Sequence, residues 1–494
     1  MTAPKAEPRS PKILVIGAGM SGLLMGIRLL EAGIRSFEIL EKAAAVGGTW
    51  RDNTYPGLAC DIPAYLYTYS FEPNPECSHR YARGPEIQAY LERVYDKYGL
   101  APYVRFGQEV TGARYQDGGW LVSTSDGTER RAEIVIAATG LLHHPRYPDI
   151  PGLEQFAGSV FHSARWDHSV PLEGRRVGLI GTGSTAVQIV GGVIDRVRSL
   201  TVFQRTAQWV LPAADTEYSR LRPFVLRRLR WLALALHYGY SLFYNTLLGS
   251  NFAARRRWFF GFFALVAWLH LHTVRNPELR KKLTPNYRMG CKRFVFSDGF
   301  YKAIQRPNCA LVTNGIERIE ARGVRTRDGH LHELDVLVLA TGFHARNYMR
   351  PMNIVGLDGR TLDAAWADGI RAYRSVALPG FPNFFMLQGP HSPIGNYSLI
   401  KISEIQSRYL MQLIERIRRA DFASAAPRAD VTEAFNHALQ ADAGTTIWAS
   451  PGCSSWYLDE QNRLGIWPWT LARFNEDMRE PRYEEFELCN RSDG

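Results

Sequence analysis

The chain has 494 residues, which fits two to four domains of roughly 100–200 residues each and supports a sizeable core. Hydrophobic residues make up 46% and charged residues 22%, which excludes global disorder. The net charge of +11 favours anionic ligands or an anionic surface, but it is not gathered in a tail and so does not point to nucleic acid.

The six cysteines (Cys60, Cys77, Cys291, Cys309, Cys453, Cys489) are scattered, without a C-x-x-C pair. This argues against a disulfide scaffold, a zinc module or a dithiol redox centre, and for a reducing compartment. No H-E-x-x-H occurs, and no metal site is expected. Residues Met1 to Lys12 read as a short disordered lead, and the apolar run after them is too short for a secretory segment, so a cytoplasmic chain is expected.

The first element reads as strand, turn and helix: Ile13 to Ile16, then Gly17-Ala18-Gly19-Met20-Ser21-Gly22, then an apolar helix through Leu30. A second strand, Phe37 to Leu40, ends at Glu41. In this G-x-G-x-x-G context Gly17 permits the tight turn, Gly19 admits a pyrophosphate, and Gly22 lets helix and strand pack closely. The helix N-terminus offers free N–H groups to the phosphates. The pattern returns at Val177 to Ile180, followed by Gly181-Thr182-Gly183-Ser184-Thr185-Ala186 and a strand, Leu200 to Phe203, leading to Gln204-Arg205-Thr206. Glu41 follows Gly17 by 24 residues, and Arg205 follows Gly181 by 24. A carboxylate accepts from ribose hydroxyls and repels a 2′-phosphate, whereas arginine grips one. The first unit should hold a dinucleotide with a free ribose, and the second NADPH.

Two further strands, Glu133 to Ala138 and Asp335 to Ala340, each close on Ala-Thr-Gly, as buried parallel strands before an interdomain crossing. The proline-rich stretch Leu141 to Pro148 reads as a linker, and its His143-His144 as a linker detail rather than a metal pair. Residues 211–285 look helical and rich in Leu, Phe, Trp, Tyr and Arg; Trp231 to Ala254 and Trp258 to Val274 carry no formal charge. Three readings of this insert stay open: walls of a lipophilic pocket, peripheral membrane contact over residues 220–282, or a span. Tyr238, Ser241, Asn245, Ser250 and Asn251 make a poor span.

Two stretches are more specific. Gly47-Gly48-Thr49-Trp50-Arg51-Asp52-Asn53-Thr54-Tyr55-Pro56-Gly57-Leu58-Ala59-Cys60-Asp61 and Phe156-Ala157-Gly158-Ser159-Val160-Phe161-His162-Ser163-Ala164-Arg165-Trp166-Asp167 resemble the fingerprints of class B flavoprotein monooxygenases, of the Baeyer–Villiger type. The second fits F-x-G-x-x-x-H-x-x-x-W-[P/D] at every fixed position. The resemblance runs from about Lys12 to Glu476 and is weakest in the helical stretch. It implies FAD on Gly17, Gly19, Met20, Gly22 and Glu41, with Gly48, Thr49, Trp50, Asp61, Tyr67 and Val110 around the flavin. It implies NADPH on Gly181, Thr182, Gly183, Ser184, Thr185, Ala186, Val187, Arg205, Thr206 and Lys292. It places Arg293, in Gly290-Cys291-Lys292-Arg293-Phe294, beside the flavin as the catalytic cation, with Asp61 sharing the catalytic site by positioning it, and Trp456 on a mobile segment near bound NADP. His162 is expected to couple linker and domain motion.

The implied architecture is α/β, with two Rossmann-like dinucleotide-binding domains for FAD and NADPH and a helical insert in the second. The expected division is FAD domain 1–142 and 343–494 including the C-terminal segment, NADPH domain 151–210 and 286–342, and insert 211–285. The implied activity is NADPH- and O2-dependent Baeyer–Villiger oxidation of a lipophilic ketone to an ester or lactone through a C4a-peroxyflavin, with the protein supplying placement and field. The alternative is a class B enzyme acting mainly on sulfides or amines. A disulfide reductase needs a close cysteine pair after the first unit, and Cys60 and Cys77 stand 17 apart. A non-catalytic flavin-binding membrane sensor would not need both nucleotide loops and Arg293.

Overall fold

Ile13–Ile16 is apolar at every position because it lies in the middle of a parallel sheet covered on both faces. The computed structural model describes residues 10–219, 221–245, 257–395, 397–450 and 452–490. Residues 1–9, and within the insert Ser250, Asn251, Arg255 and Arg256, lie outside the described residues.

The first sheet runs in the order Phe384–Met386, Ile134–Ala137, Ile13–Ile16, Phe37–Leu40, Val104–Arg105, all parallel. Its edge strand at Phe384 shows that the C-terminal part of the chain completes the N-terminal sheet. The Met20–Glu31 helix covers one face and packs against the Leu399–Arg418 helix, where Ser21 and Ser403 hydroxyls meet at 2.9 Å. Leu23, Leu24, Met25, Ile27 and Leu29 of that helix are fully buried, each contributing about 1.5–3 kcal/mol. The second sheet runs Cys309–Val312, Ser199–Phe203, Arg176–Ile180, Val336–Leu339, Ser159–His162, again parallel. The chain is thus α/β with two Rossmann-like sheets, and Ser184–Val193 is the first helix of the second.

The two Ala-Thr-Gly strand ends have the same task in both sheets. Gly17 has φ +102°, and a Cβ there would stand 2.8 Å from the Ala138 carbonyl oxygen. Gly181 has φ +128°, and its Cβ would stand 2.3 Å from the Ala340 carbonyl oxygen. Each glycine loop leaves its strand directly against the neighbouring strand's exit, and only glycine has room.

The two units are stapled by the segment that follows the first glycine loop. The Tyr55 hydroxyl donates to Gln188 Oε1 at 2.9 Å, and Gln188 Nε2 donates to the Ala59 carbonyl at 2.9 Å. A Cβ on Gly192, one turn further along the Ser184–Val193 helix, would sit 2.6 Å from Pro56 backbone atoms.

The insert is helical where it is described: Arg222–Arg228, Arg230–Phe243, Arg257–Leu271 and Pro277–Leu283. Among the described residues no helix is long and apolar enough to cross a membrane.

Candidate active site

The Glu41 carboxylate is buried and folded back onto the first glycine loop. Oε2 accepts the Ala18 N–H at 2.8 Å, while Oε1 accepts the Ala43 N–H at 2.9 Å and Arg51 Nη1 at 3.1 Å. Arg51 belongs to the quoted fingerprint but carried no expected role; this ion pair shows what it does. Gly22 closes the loop, since a Cβ there would be 1.8 Å from the Gly17 carbonyl oxygen. Gly19 and Gly48 face each other: a Cβ on Gly48 would lie 3.2 Å from the Gly19 Cα. This side-chain-free cradle at a helix N-terminus, with a carboxylate at the strand end, fits a dinucleotide with an unsubstituted ribose.

In the second loop Gly183 opens onto free space: no described atom lies within 4 Å of where a Cβ would stand. The Thr182 hydroxyl donates to the Thr206 carbonyl at 2.7 Å and ties the loop to the strand end that bears Arg205. Lys292 arrives from the far side of the insert, with its ammonium 4.7 Å from the Tyr287 ring centre. Burial, and then the nearby Arg205 guanidinium, hold Lys292 below the ordinary lysine value. Two cations that repel each other on the cleft wall by the second loop fit a 2′-phosphate, the feature that distinguishes NADPH from NADH.

A cleft of about 2230 Å³ runs between the segment behind the first glycine loop and the second loop; Gly17, Gly19, Met20, Gly22, Glu41 and Gly48 are not among the residues that line it. Thr49, Trp50, Asp61, Tyr67, Gly181, Thr182, Gly183, Ser184, Thr185, Arg205, Thr206, Lys292, Arg293 and Trp456 all line it. Arg293 is gripped at two points: Nε donates to Asp61 Oδ2 at 2.7 Å and Nη2 to Asp61 Oδ1 at 2.6 Å. Burial works against the Arg293 charge, but Asp61 outweighs it, so the guanidinium stays above its ordinary value. Trp50 Nε1 donates to the Tyr67 hydroxyl at 3.2 Å, their rings meet edge to face, and the Tyr67 hydroxyl reaches Met20 Sδ at 3.6 Å. Burial raises the Tyr67 phenol and the Cys60 thiol far out of the physiological range.

The C-terminal segment closes the cleft from the other side. Trp456 is 40% exposed and tilts against Tyr457, with ring centres 4.5 Å apart. The Tyr457 phenol is pushed up to about 12 by burial, while the Arg293 charge pulls it down. Tyr457 sits beside Trp456 in the motif and was legible only as its neighbour. Here the cysteine reading needs correction: Cys291 and Cys453 form a disulfide. It joins the residues just before Lys292 and Arg293 to the segment just before Trp456. The two cysteines are 162 residues apart, so only the tertiary fold could pair them.

Other expected residues are core. Val110 packs with Leu14, Ile16 and Leu40 beneath the first sheet, and Ala186 and Val187 pack into the second core. His162 is fully buried, accepts the Ala164 N–H at Nδ1 (3.1 Å), and lies edge to face on Phe343. That puts it where the Val336–Leu339 strand exits into the crossing after Ala340-Thr341-Gly342. Trp166 packs edge to face on Phe161. His143, edge to face against His144, is pushed down to about 3 by burial and by its neighbour.

A family model described as pyridine nucleotide-disulphide oxidoreductase matches residues 14–242. Cys60 and Cys77, the cysteines that disulfide chemistry would need there, are separate buried thiols. The chain is 48% identical over 482 residues to an uncharacterised monooxygenase of Mycobacterium tuberculosis, covering 97% of this chain and 96% of that one. It is 39% identical over 482 residues to a Baeyer–Villiger monooxygenase of Streptomyces coelicolor, covering 97% and 92%. Among solved structures it superposes on OTEMO in complex with FAD and NADP, with a TM-score of 0.87 and 26% identity, covering 98% of this chain and 100% of that one.

Proposed function

This chain belongs to the Baeyer–Villiger monooxygenase family as an NADPH-dependent FAD enzyme, and we propose that it inserts oxygen beside the carbonyl of a lipophilic ketone to give an ester or lactone. The observation that carries this reading is the two-point Asp61–Arg293 pair at the cleft wall. The first glycine loop with Glu41 would hold FAD and the second with Arg205 and Lys292 would hold NADPH, which when bound would supply the reducing and oxygen-activating chemistry.

What remains is done by the chain's own side chains. Arg293 is permanently charged and planar. Asp61 occupies the Nε hydrogen and one Nη2 hydrogen, which leaves Nη1 and the other Nη2 hydrogen to donate to a developing oxyanion. A preorganised donor of this kind is worth about 3–4 kcal/mol in the transition state. Asp61 is a positioning residue: it offsets the burial of the guanidinium and fixes its plane. Arg205 and Lys292 select the 2′-phosphate, and Glu41 the free ribose. Trp456, on the disulfide-held segment, shields the nicotinamide side of the cleft from water. Residues 1–142 with 343–494 form the FAD domain and 151–210 with 286–342 the NADPH domain. The apolar insert, 211–285, suits a lipophilic substrate and contact with a membrane surface.

Incubation with NADPH and O2 over linear, cyclic and aryl ketones, with product analysis, tests the reading. Ester or lactone formation supports it. Conversion of sulfides or amines alone would move the assignment to the soft-nucleophile branch of the class B enzymes.

A further inference from the structure

The insert helices carry an apolar face that the other described residues leave exposed. Along Arg230–Phe243, Ala233 and His237 are buried, while Trp231, Tyr238 and Leu242 are each more than half exposed. The spacing 231, 235, 238, 242 is one helical face, and Ala235 on it is exposed too. Along Arg257–Leu271, Phe259, Ala267 and Leu271 are buried, and Trp258, Phe262, Leu265 and Leu269 are more than half exposed at the same spacing. Exposed apolar faces of this extent mark an interaction site.

Charge decides between occupants. In sequence, positions 218–277 hold nine arginines and no aspartate or glutamate. Arg227 and Arg230 are ion-paired with Glu76 and Glu72, whereas Arg228 and Arg275 are exposed and in no ion pair among the described residues. A second copy of the same face would bring like charges together, whereas an anionic leaflet attracts them by about 1 kcal/mol per basic residue. We propose that the outer faces of Arg230–Phe243 and Arg257–Leu271 dock the enzyme on an anionic phospholipid bilayer, lying in the interface rather than crossing it.

The inner face of the first helix gives the docking a purpose. His237 Nδ1 donates to the Tyr65 carbonyl at 2.6 Å and lies 3.5 Å from the Thr68 hydroxyl. Both partners belong to the loop that carries Asp61 and Tyr67 into the cleft. Below this helix a cavity of about 20 Å³ is walled by His237, Ser241, Ile62 and Tyr397, and the last two also line the central cleft. A helix resting on lipid therefore has its other side against the active-site loop. Docking stands on the surface alone; delivery of substrate through it rests on the lipophilic-ketone reading.

Sedimentation of the full-length FAD-loaded enzyme with phosphatidylcholine vesicles, and with vesicles of phosphatidylcholine and phosphatidylglycerol, tests the docking. Binding is expected to the second kind, and to weaken with added salt. The triple variant Phe262→Ser, Leu265→Ser, Leu269→Ser should lose partitioning by roughly a hundredfold or more, since the three side chains together remove apolar area worth at least two tenfold steps. Its thermal midpoint and its NADPH oxidation with a water-soluble ketone should match wild type. In the wild type, brominated phosphatidylglycerol should quench the tryptophan emission of Trp231, Trp258 and Trp268, a readout that needs no variant. No sedimentation at low salt, no quenching, or equal binding to both vesicles would overturn the proposal. So would a wild-type dimer that ignores vesicles and that the variant dissociates, because a second copy would then cover the face. A preparation that binds vesicles but converts no ketone would reject the ketone reading and leave the docking intact.

Discussion

Arg293 and Asp61 stand 232 positions apart and meet through two hydrogen bonds, at 2.7 and 2.6 Å, on the wall of the central cleft. Asp61 comes with the loop behind the first glycine cradle, and Arg293 from the return of the insert. The pair therefore forms only when both dinucleotide units are folded and joined.

Arg293→Ala should lower ketone oxygenation by about a hundredfold or more while the flavin remains bound. Arg293→Lys should recover only part, because an ammonium lacks the planar fork. Asp61→Asn keeps the shape and loses the charge, and should lower kcat with little change in KM for NADPH. Product formation and flavin absorbance, followed in parallel, check all three. Ketone turnover at the wild-type rate in Arg293→Ala would falsify the assignment.

Arg205→Ala should raise KM for NADPH by roughly ten- to a hundredfold, the worth of one charge-assisted contact. KM for NADH should hardly move, since NADH has no 2′-phosphate. Steady-state kinetics with both nucleotides decide. Equal losses for the two would mean that Arg205 supports the loop and does not read the phosphate.

Gly192→Ala should loosen the joint between the two units. Its new methyl would have to occupy space 2.6 Å from Pro56 backbone atoms, and crowding of this kind costs about 1–3 kcal/mol. The expected result is a lower thermal midpoint together with slower reduction of the flavin by NADPH. Gly191→Ala, where no described atom lies within 4 Å of the added carbon, is the control and should leave both unchanged.

His391 gives the fold a pH dependence. Burial pushes it down to about 4, so it is held neutral in the folded chain. The unfolded chain protonates near the ordinary value of about 6.5. Below that pH the unfolded state binds more protons, so stability is complete above about pH 6.5 and falls as the pH drops toward 4, by at most about 3 kcal/mol. His391 has φ +64°, a conformation asparagine tolerates well. His391→Asn should therefore flatten the decline of the thermal midpoint between about pH 6.5 and 4.5. An unchanged slope would place the acid sensitivity elsewhere.

Much of this was legible in the sequence because the features are local. Strand, glycine turn and helix follow one another directly in both units, and the opposite charges of Glu41 and Arg205 at equal spacing are the sequence signal behind the two proposed ribose preferences. The stretches Gly47 to Asp61 and Phe156 to Asp167 point to the family in the same way. What only the tertiary structure decided is long-range. No local pattern shows that Phe384–Met386 completes the first sheet, that Cys291 pairs with Cys453, that Gln188 fastens Tyr55 and Ala59, or that Arg51 holds Glu41. Helical periodicity in the insert was compatible with a buried wall and with a surface helix alike. Which of its faces meets the protein depends on where the loop around Tyr65 comes to rest, because an amphipathic pattern fixes that a helix has two faces and the packing of distant segments fixes which one is covered.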